Sequence, residues 1–207
     1  MARRVFVSFR FSDGFKYKED LCSLFKENDD VIDCSENKDR SSLSDDSIKK
    51  YLYAKLRNSS VTIVILTPDA LEYEKDIWSG KIDDWMYDEL RYSLEDRENN
   101  RTNGVIAVYT KEAMPKLITK TTHICNVCNE ESVVNELLQC NNLCRKNMLN
   151  VKEQYKKNAC KGIFDSLEDS YISLVSFEDF SSNINKYIEN AVSKRERIQE
   201  FNISVRM

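Results

Sequence analysis

Apolar residues along this chain fall into short continuous runs separated by helical stripes. Arg4 to Phe9 (RVFVSF) is a β-branched and aromatic run and reads as a buried strand. Phe15, Leu21, Cys22 and Phe25 then recur at helical spacing, which predicts a helix from Phe15 to Lys26. Val31 to Cys34 gives a second short strand. A polar loop from Ser35 to Ser44 leads into a helix with Ser44 or Asp45 as candidate N-cap, along which Ile48, Leu52 and Leu56 repeat every four residues. Val61 to Thr67 (VTIVILT) is the most apolar strand, of the kind buried on both faces in a parallel sheet, and Pro68 ends it. A helix from Asp83 to Arg97 and a strand from Gly104 to Tyr109 (GVIAVY) follow. Tyr171 to Phe177 is strand-like. Phe180 to Ile198, with Ile184, Tyr187, Ile188 and Val192, reads as a long amphipathic helix.

This alternation of strand and helix predicts an α/β fold with a five-stranded parallel sheet flanked by helices. A chain that begins with its first strand suits the flavodoxin-like order 2-1-3-4-5. In such sheets a ligand sits beyond the carboxyl ends of the strands at the switch point, here between the first and third. Two segments are thereby nominated: Phe9-Arg10-Phe11-Ser12-Asp13, and the stretch from Thr67 to the helix at Asp83. The interval from the fourth strand to Tyr171, about 60 residues, is too long for a simple connection. Within it Val133, Leu137, Cys140, Cys144, Met148, Val151 and Tyr155 are spaced 4, 3, 4, 4, 3 and 4 apart. That seam predicts a mainly helical insertion over 111–165, packed on the sheet. The whole chain, 1–207, is expected to be one domain, as its 207 residues and 41% hydrophobic content permit.

Composition narrows the chemistry. The four glycines are Gly14, Gly80, Gly104 and Gly162, too far apart for a dinucleotide fingerprint or a phosphate loop. The single histidine, His123, excludes a three-histidine zinc site and the His-Glu-x-x-His helix. An enzyme built from this chain is therefore expected to work with carboxylates. Thirty-five acidic residues against 31 basic ones are interspersed, with a net charge of −4, which argues against nucleic acid or an anionic membrane as partner. No stretch approaches the ~18 apolar residues of a membrane span. The opening residues show no signal-peptide core, and seven unevenly spaced cysteines suit reduced thiols. A cytoplasmic location is the expectation.

Trp85-Met86-Tyr87-Asp88-Glu89-Leu90 opens the helix after the third strand. Trp85 and Glu89 are four apart and share a helical face. Alone, the pair reads as a core tryptophan beside a solvated glutamate. Its place at the expected crevice gives it another meaning, because the first-strand exit offers Arg10 for phosphate and Phe11 for stacking.

Val5-Phe6-Val7-Ser8-Phe9-Arg10 resembles the opening strand of TIR (Toll/interleukin-receptor) domains, and Trp85-Met86-Tyr87-Asp88-Glu89-Leu90 resembles the Trp-Cys-x-x-Glu-Leu segment of their catalytic members. Between them, Asn58 to Pro68 is similar to the family's third-strand motif in order and spacing. The likeness spans residues 1 to about 110 and again the last strand and helix. It implies a TIR fold and an NADase or ADP-ribosyl cyclase activity, in which the nicotinamide–ribose bond of NAD is cleaved and NAD is a substrate rather than a cofactor. It also implies roles: Glu89 as the catalytic carboxylate, Trp85 and Phe11 around the nicotinamide, Arg10 at the diphosphate, and Phe9 on the same substrate-binding segment. Standalone TIR proteins of this kind resemble those of the Thoeris anti-phage system. In that setting a phage component is the trigger, a cyclic ADP-ribose isomer is the product, and an effector protein reads it; homo-oligomers are common. The alternative is a non-catalytic TIR adaptor that signals by TIR–TIR assembly, from which Glu89 with Trp85 is the distinguishing feature. A two-component receiver shares the strand order, but the exits here read Arg10-Phe11, Thr67-Pro68 and Ser176-Phe177 instead of its acidic pair, aspartate and lysine.

Cys125-x2-Cys128-x11-Cys140-x3-Cys144 has spacings compatible with a structural zinc site of four thiolates. Against it, Cys140 and Cys144 lie on the insertion's apolar seam, where buried cysteine acts as a small hydrophobe. Cys22, Cys34 and Cys160 read as ordinary core or surface thiols. His123 lies two residues from Cys125 with no evident acid or amide partner for nucleophilic catalysis.

Overall fold

A computed structural model of the chain describes residues 2–35, 45–72, 85–97, 101–140, 142–158, 160 and 162–206. Its centre is a parallel sheet of β1 (Arg3–Ser8), β2 (Val31–Asp33), β3 (Val61–Leu66), β4 (Gly104–Tyr109) and β7 (Ile172–Ser176), in the order β2-β1-β3-β4-β7. Val5 pairs with Val61 and Ser8 with Val64, and β3 and β4 are paired from Val61–Gly104 to Leu66–Tyr109. The expected five-stranded, doubly wound order is the observed one. Expected Ser44 and Asp83 positions, the greater part of the Ser35–Ser44 loop and Gly80 lie outside the described residues.

Strand alternation divides the core. Val5, Val7, Ile63, Ile65, Ile106, Val108 and Val175 face α1 (Phe15–Lys26) and α8 (Ile184–Glu196), meeting Leu21, Phe25, Ile184, Ile188 and Val192. On the opposite face Phe6 packs with Leu52 and Leu56 of α2 (Asp45–Arg57), and Val64 and Leu66 pack with Met86 and Leu90 of α4 (Trp85–Leu94). Each fully buried Leu, Ile or Val contributes about 1.5–3 kcal/mol, so these two layers supply most of the drive to fold. A side chain on Gly104 would put its Cβ 2.4 Å from the carbonyl oxygen of Ala191; glycine there lets α8 lie directly on the start of β4.

Pro68 opens a short turn of helix, α3 (Pro68–Leu71), with Thr67 as its N-cap and the hydroxyl accepting from the Ala70 amide at 3.3 Å. The expected terminal helix is broken in two, α7 (Phe177–Ser182) and α8, at Asn183. Ser176 caps α7 by accepting from the Asp179 amide at 3.1 Å.

The insertion departs from expectation. After α5 (Met114–Leu117), the chain forms an antiparallel hairpin of β5 (Ile118–Ile124) and β6 (Glu131–Leu137), paired from Ile118–Leu137 to Ile124–Glu131. Only then comes a five-residue helix, α6 (Asn142–Lys146). Val133 and Leu137 therefore belong to a strand and not to a helical seam. β5 is rich in threonine (Thr119, Thr121, Thr122), whose branched Cβ favours extended backbone, and it supplies a pairing partner that counting i, i+3 and i+4 cannot reveal. The helical reading survives only around Leu143 and Cys144 in α6; Cys140 precedes that helix, and all three are buried in the core with α4 and the sheet. The hairpin base joins the same core through Leu117 and Ile118, while Thr122, His123 and Ile124 near its tip are exposed.

Candidate functional site

The geometry that matters lies at the carboxyl ends of β1 and β3. Ser8 is the last residue of β1 and faces α4, as Phe6 does; Val5, Val7 and Phe9 turn the other way. Ser8 is 1% exposed and its hydroxyl donates to Glu89 Oε2 of α4. Glu89 itself is only 8% exposed. A carboxylate taken this far from water needs a donor, and the strand-end hydroxyl supplies one.

The helix that carries Glu89 is fixed by a buried chain of polar groups. Asn103 Nδ2 donates to Thr62 Oγ1 at 3.2 Å, Thr62 and Ser93 share a hydroxyl–hydroxyl bond of 2.8 Å, and Ser93 Oγ donates to the Glu89 carbonyl at 2.8 Å. Because Thr62 already accepts from Asn103 and Ser93 donates onward, every hydroxyl in the series has a direction. Below it Met86, Leu90 and Leu94 are buried in the apolar layer. Rotation of α4 about its axis, and hence the aim of Glu89, is set on both sides.

Trp85 stands one turn before Glu89, half-buried, and packs beside Phe6, Leu52 and Tyr92. Lys49 of α2 holds its ammonium 5.6 Å from the Trp85 ring and 3.4 Å from Asp88 Oδ2. Arg91 reaches Asp88 at 3.5 Å and Glu95 at 2.7 Å. Negative charge on α4 outside Glu89 is thus matched by cations.

The β1 exit forms the other wall of the switch point. Phe9, Phe11 and Phe15 make an aromatic group, with ring centroids 4.7 Å apart for Phe9–Phe11 and 6.0 Å for Phe11–Phe15. Phe11 is 46% exposed. Arg10, half-buried, begins a tight turn in which its carbonyl accepts from the Gly14 amide at 2.8 Å; a Cβ at Gly14 would lie 2.6 Å from that oxygen. Asp13 laces this loop to the β3 exit, accepting from Thr67 Oγ1 at 2.6 Å and from the Asp69 amide at 2.9 Å, and Ser12 donates to Asp69 at 2.6 Å.

The residues expected at the site therefore fall into two groups. Glu89 and Trp85 share the α2–α4 side, with Ser8 beneath them. Phe9 packs on the α1 side with Phe11 and Phe15, and Arg10 lies between Phe9 and Phe11 in sequence. Ser8 and Lys49 are the polar contributors that sequence reasoning did not name. Ser8 was legible in principle, since strand alternation places it on the same face as Phe6.

The four cysteines expected together do not form one set. Cys140 and Cys144 are buried in the apolar core, where the hydrogen bond with Cys140, and then burial, raise the Cys144 thiol well above its usual range. Cys125 and Cys128 lie at the hairpin turn, where Cys160 joins them. Backbone N–H groups of Cys128 and Val127 directed at the Cys125 sulfur hold that thiol down, to about 7.

A five-stranded parallel sheet in the order β2-β1-β3-β4-β7, flanked by helices, is an architecture that TIR-type domains share with other doubly wound folds. The chain belongs to the family of TIR-like domains of the Thoeris protein ThsB, whose family model matches residues 6–114. Among solved structures, it is similar to the TIR domains in the activated Roq1 resistosome directly recognizing the pathogen effector XopQ, at 22% identity and a TM-score of 0.32. That match covers 53% of this chain and 58% of the other, so this chain spans a little over half the length of that neighbour. Among the described residues, no helix is long and apolar enough to cross a membrane.

Proposed function

We propose that this protein is an NAD-consuming signalling enzyme of anti-phage defence, which cleaves the nicotinamide–ribose bond and makes a cyclic ADP-ribose isomer. The single observation that carries this reading is the buried Glu89 carboxylate, held by the Ser8 hydroxyl at the carboxyl end of β1. Membership of the ThsB family supports the setting.

The chemistry asks for little else. Nicotinamide leaves a cationic ring as a neutral molecule, so no acid is needed to protonate it. The positive charge that develops on the ribose is what must be stabilised, and a fixed carboxylate with its water removed does this well. Glu89 supplies that charge, Trp85 and Phe11 flank the nicotinamide, Phe9 backs Phe11, and Arg10 meets the diphosphate. Cyclisation needs only that a nucleophile of the substrate itself reach the ribose before water does. No resident cofactor takes part. The product, released into the cytoplasm, carries the signal to an effector protein, with a phage component as trigger and a homo-oligomer as the working form.

The test is nucleotide chromatography with mass spectrometry on phage-challenged cells expressing the wild type or Glu89→Gln. Wild-type cells are expected to lose NAD and accumulate the cyclic isomer, and the variant is expected to do neither. Near-normal product from Glu89→Gln overturns the assignment of the carboxylate. A wild type that protects cells with no loss of NAD points instead to signalling by assembly.

A further inference from the structure

Three sulfurs from two distant stretches of chain meet at the end of the β5–β6 hairpin. The ligand atoms of Cys125, Cys128 and Cys160 all lie within 4.8 Å of one another. The Cys125–Cys160 pair is 3.5 Å apart, and all three thiols are free. Sulfurs bound to one tetrahedral zinc at about 2.3 Å each sit roughly 3.8 Å apart, close to this spacing, whereas a disulfide requires about 2.05 Å. We propose that Cys125, Cys128 and Cys160 form a zinc-type metal site of three thiolates, completed by water, that fastens Cys160 to the hairpin tip.

The backbone around the sulfurs is shaped for that role. The Cys125 amide donates to the Glu130 carbonyl at 2.9 Å and the Asn129 amide to the Cys125 carbonyl at 2.8 Å, closing the turn that carries both cysteines. Asn129 takes the left-handed conformation, φ 59°, that lets so tight a turn close. The Val127 amide points at Cys125 Sγ from 3.4 Å. Three thiolates around a dication leave a net negative charge, which such N–H donors offset. From the other stretch, Cys160 is positioned by its own amide donating to Asn158 Oδ1 at 2.9 Å. Gly162 completes the fit, because a Cβ there would lie 2.4 Å from Cys125 Sγ. Glycine at 162 lets the backbone come up against that sulfur.

The donor set is chemically consistent. Thiolates are soft ligands that select zinc over calcium or magnesium, and each thiol gives up its proton as the metal binds. No other Cys, His, Asp or Glu among the described residues places a ligand atom in this group. Cys140 and Cys144 belong to the apolar core and are predicted not to participate. The site owes nothing to the NAD reading and stands or falls separately.

Metal analysis of the untagged full chain, purified under reducing conditions, tests this. About one zinc per chain is expected for the wild type. Cys125→Ser and Cys160→Ser should lose it, while Cys140→Ala and Cys144→Ala, which suit their apolar surroundings, should keep it. Cobalt(II) added to metal-free wild type should give the thiolate-to-cobalt charge-transfer band in the near ultraviolet, and Cys160→His should retain metal with a weakened band. That variant keeps the test meaningful should Cys160→Ser fold poorly. A wild type that takes up neither zinc nor cobalt overturns the proposal. So does metal lost from Cys140→Ala but kept in Cys160→Ser, or a Cys125–Cys160 disulfide in the reduced preparation.

Discussion

Glu89 and Cys125 hold their positions by opposite means. Glu89 rides on a helix whose apolar side is buried and whose polar side is pinned through Ser93, Thr62 and Asn103, so its placement is a by-product of folding the sheet. Cys125 stands at the end of a two-stranded hairpin whose tip residues His123 and Ile124 are exposed and whose base, at Leu117 and Ile118, reaches the core. A two-stranded hairpin is marginal by itself in water. One region is positioned by hydrophobic burial, which acts whatever the ligand. The other needs a cross-link from Cys160, about 35 residues onward in the chain, and a metal supplies one without demanding a core.

The largest effect should follow from the first region. Glu89→Gln keeps the size and a hydrogen-bonding oxygen but removes the charge, and is expected to cost about 10²–10³-fold in nicotinamide release. Its melting temperature and metal content should match the wild type. Conversely, Cys160→Ser should lose metal and leave turnover near the wild-type value. If the second variant lost activity along with metal while remaining folded, the two regions would not be independent and the contrast between them would fail.

Ser8 offers a sharper probe of how the first region works. It is a positioning residue: its hydroxyl touches Glu89 and is itself buried. Hydrogen bonds to charged groups are worth about 1.5–3 kcal/mol, so Ser8→Ala should lower kcat roughly ten- to a hundredfold. KM should change far less, and Ser8→Thr, which keeps the donor, should restore most of the rate. An equal loss in Ser8→Thr would mean that shape at the strand end matters and the hydrogen bond does not.

These two regions also differ in how far the chain's own pattern revealed them. Val61–Leu66 and Gly104–Tyr109 are continuous apolar runs with no plausible exposed face, so strand identity, parallel pairing and sheet order could be read from them. The position of Glu89 at the crevice followed from the order of elements. Its contact with Ser8 needed the rotation of α4, which no spacing encodes. At the insertion, local counting misled. Val133 and Leu137 happen to sit four apart and continue into Cys140 and Cys144, which mimics one helix although a strand, a turn and a short helix share the stretch. Cys160 reads as an ordinary thiol in sequence because it lies on a different stretch from Cys125 and Cys128, and only the fold brings the three sulfurs together.

A last expected effect falls on stability and not on rate, and concerns the sheet layer. Lys194 of α8 is fully buried, donating to the Leu167 carbonyl and, at 2.6 Å, to Ser173 Oγ. Burial lowers its pKa from 10.5 to about 7, with Arg197 adding to the drop and Glu168, Asp165 and Asp169 opposing it. Between those values the unfolded chain holds a proton that the native protein does not. Unfolding then takes up a proton, so stability should rise with pH across this window, by up to about 1.4 kcal/mol per unit. Below pH 7 both states are protonated, so the slope vanishes while the cost of burying the charge is at its full size. Urea midpoints at pH 7 and 9 should therefore differ in the wild type, and Lys194→Met should flatten that difference. An unchanged slope in the variant would show that other groups set the pH dependence. Metal release followed in the same titrations separates the regions again: the hairpin, exposed at Thr122, His123 and Ile124, should open at lower urea than the sheet, with a midpoint that Lys194→Met leaves in place.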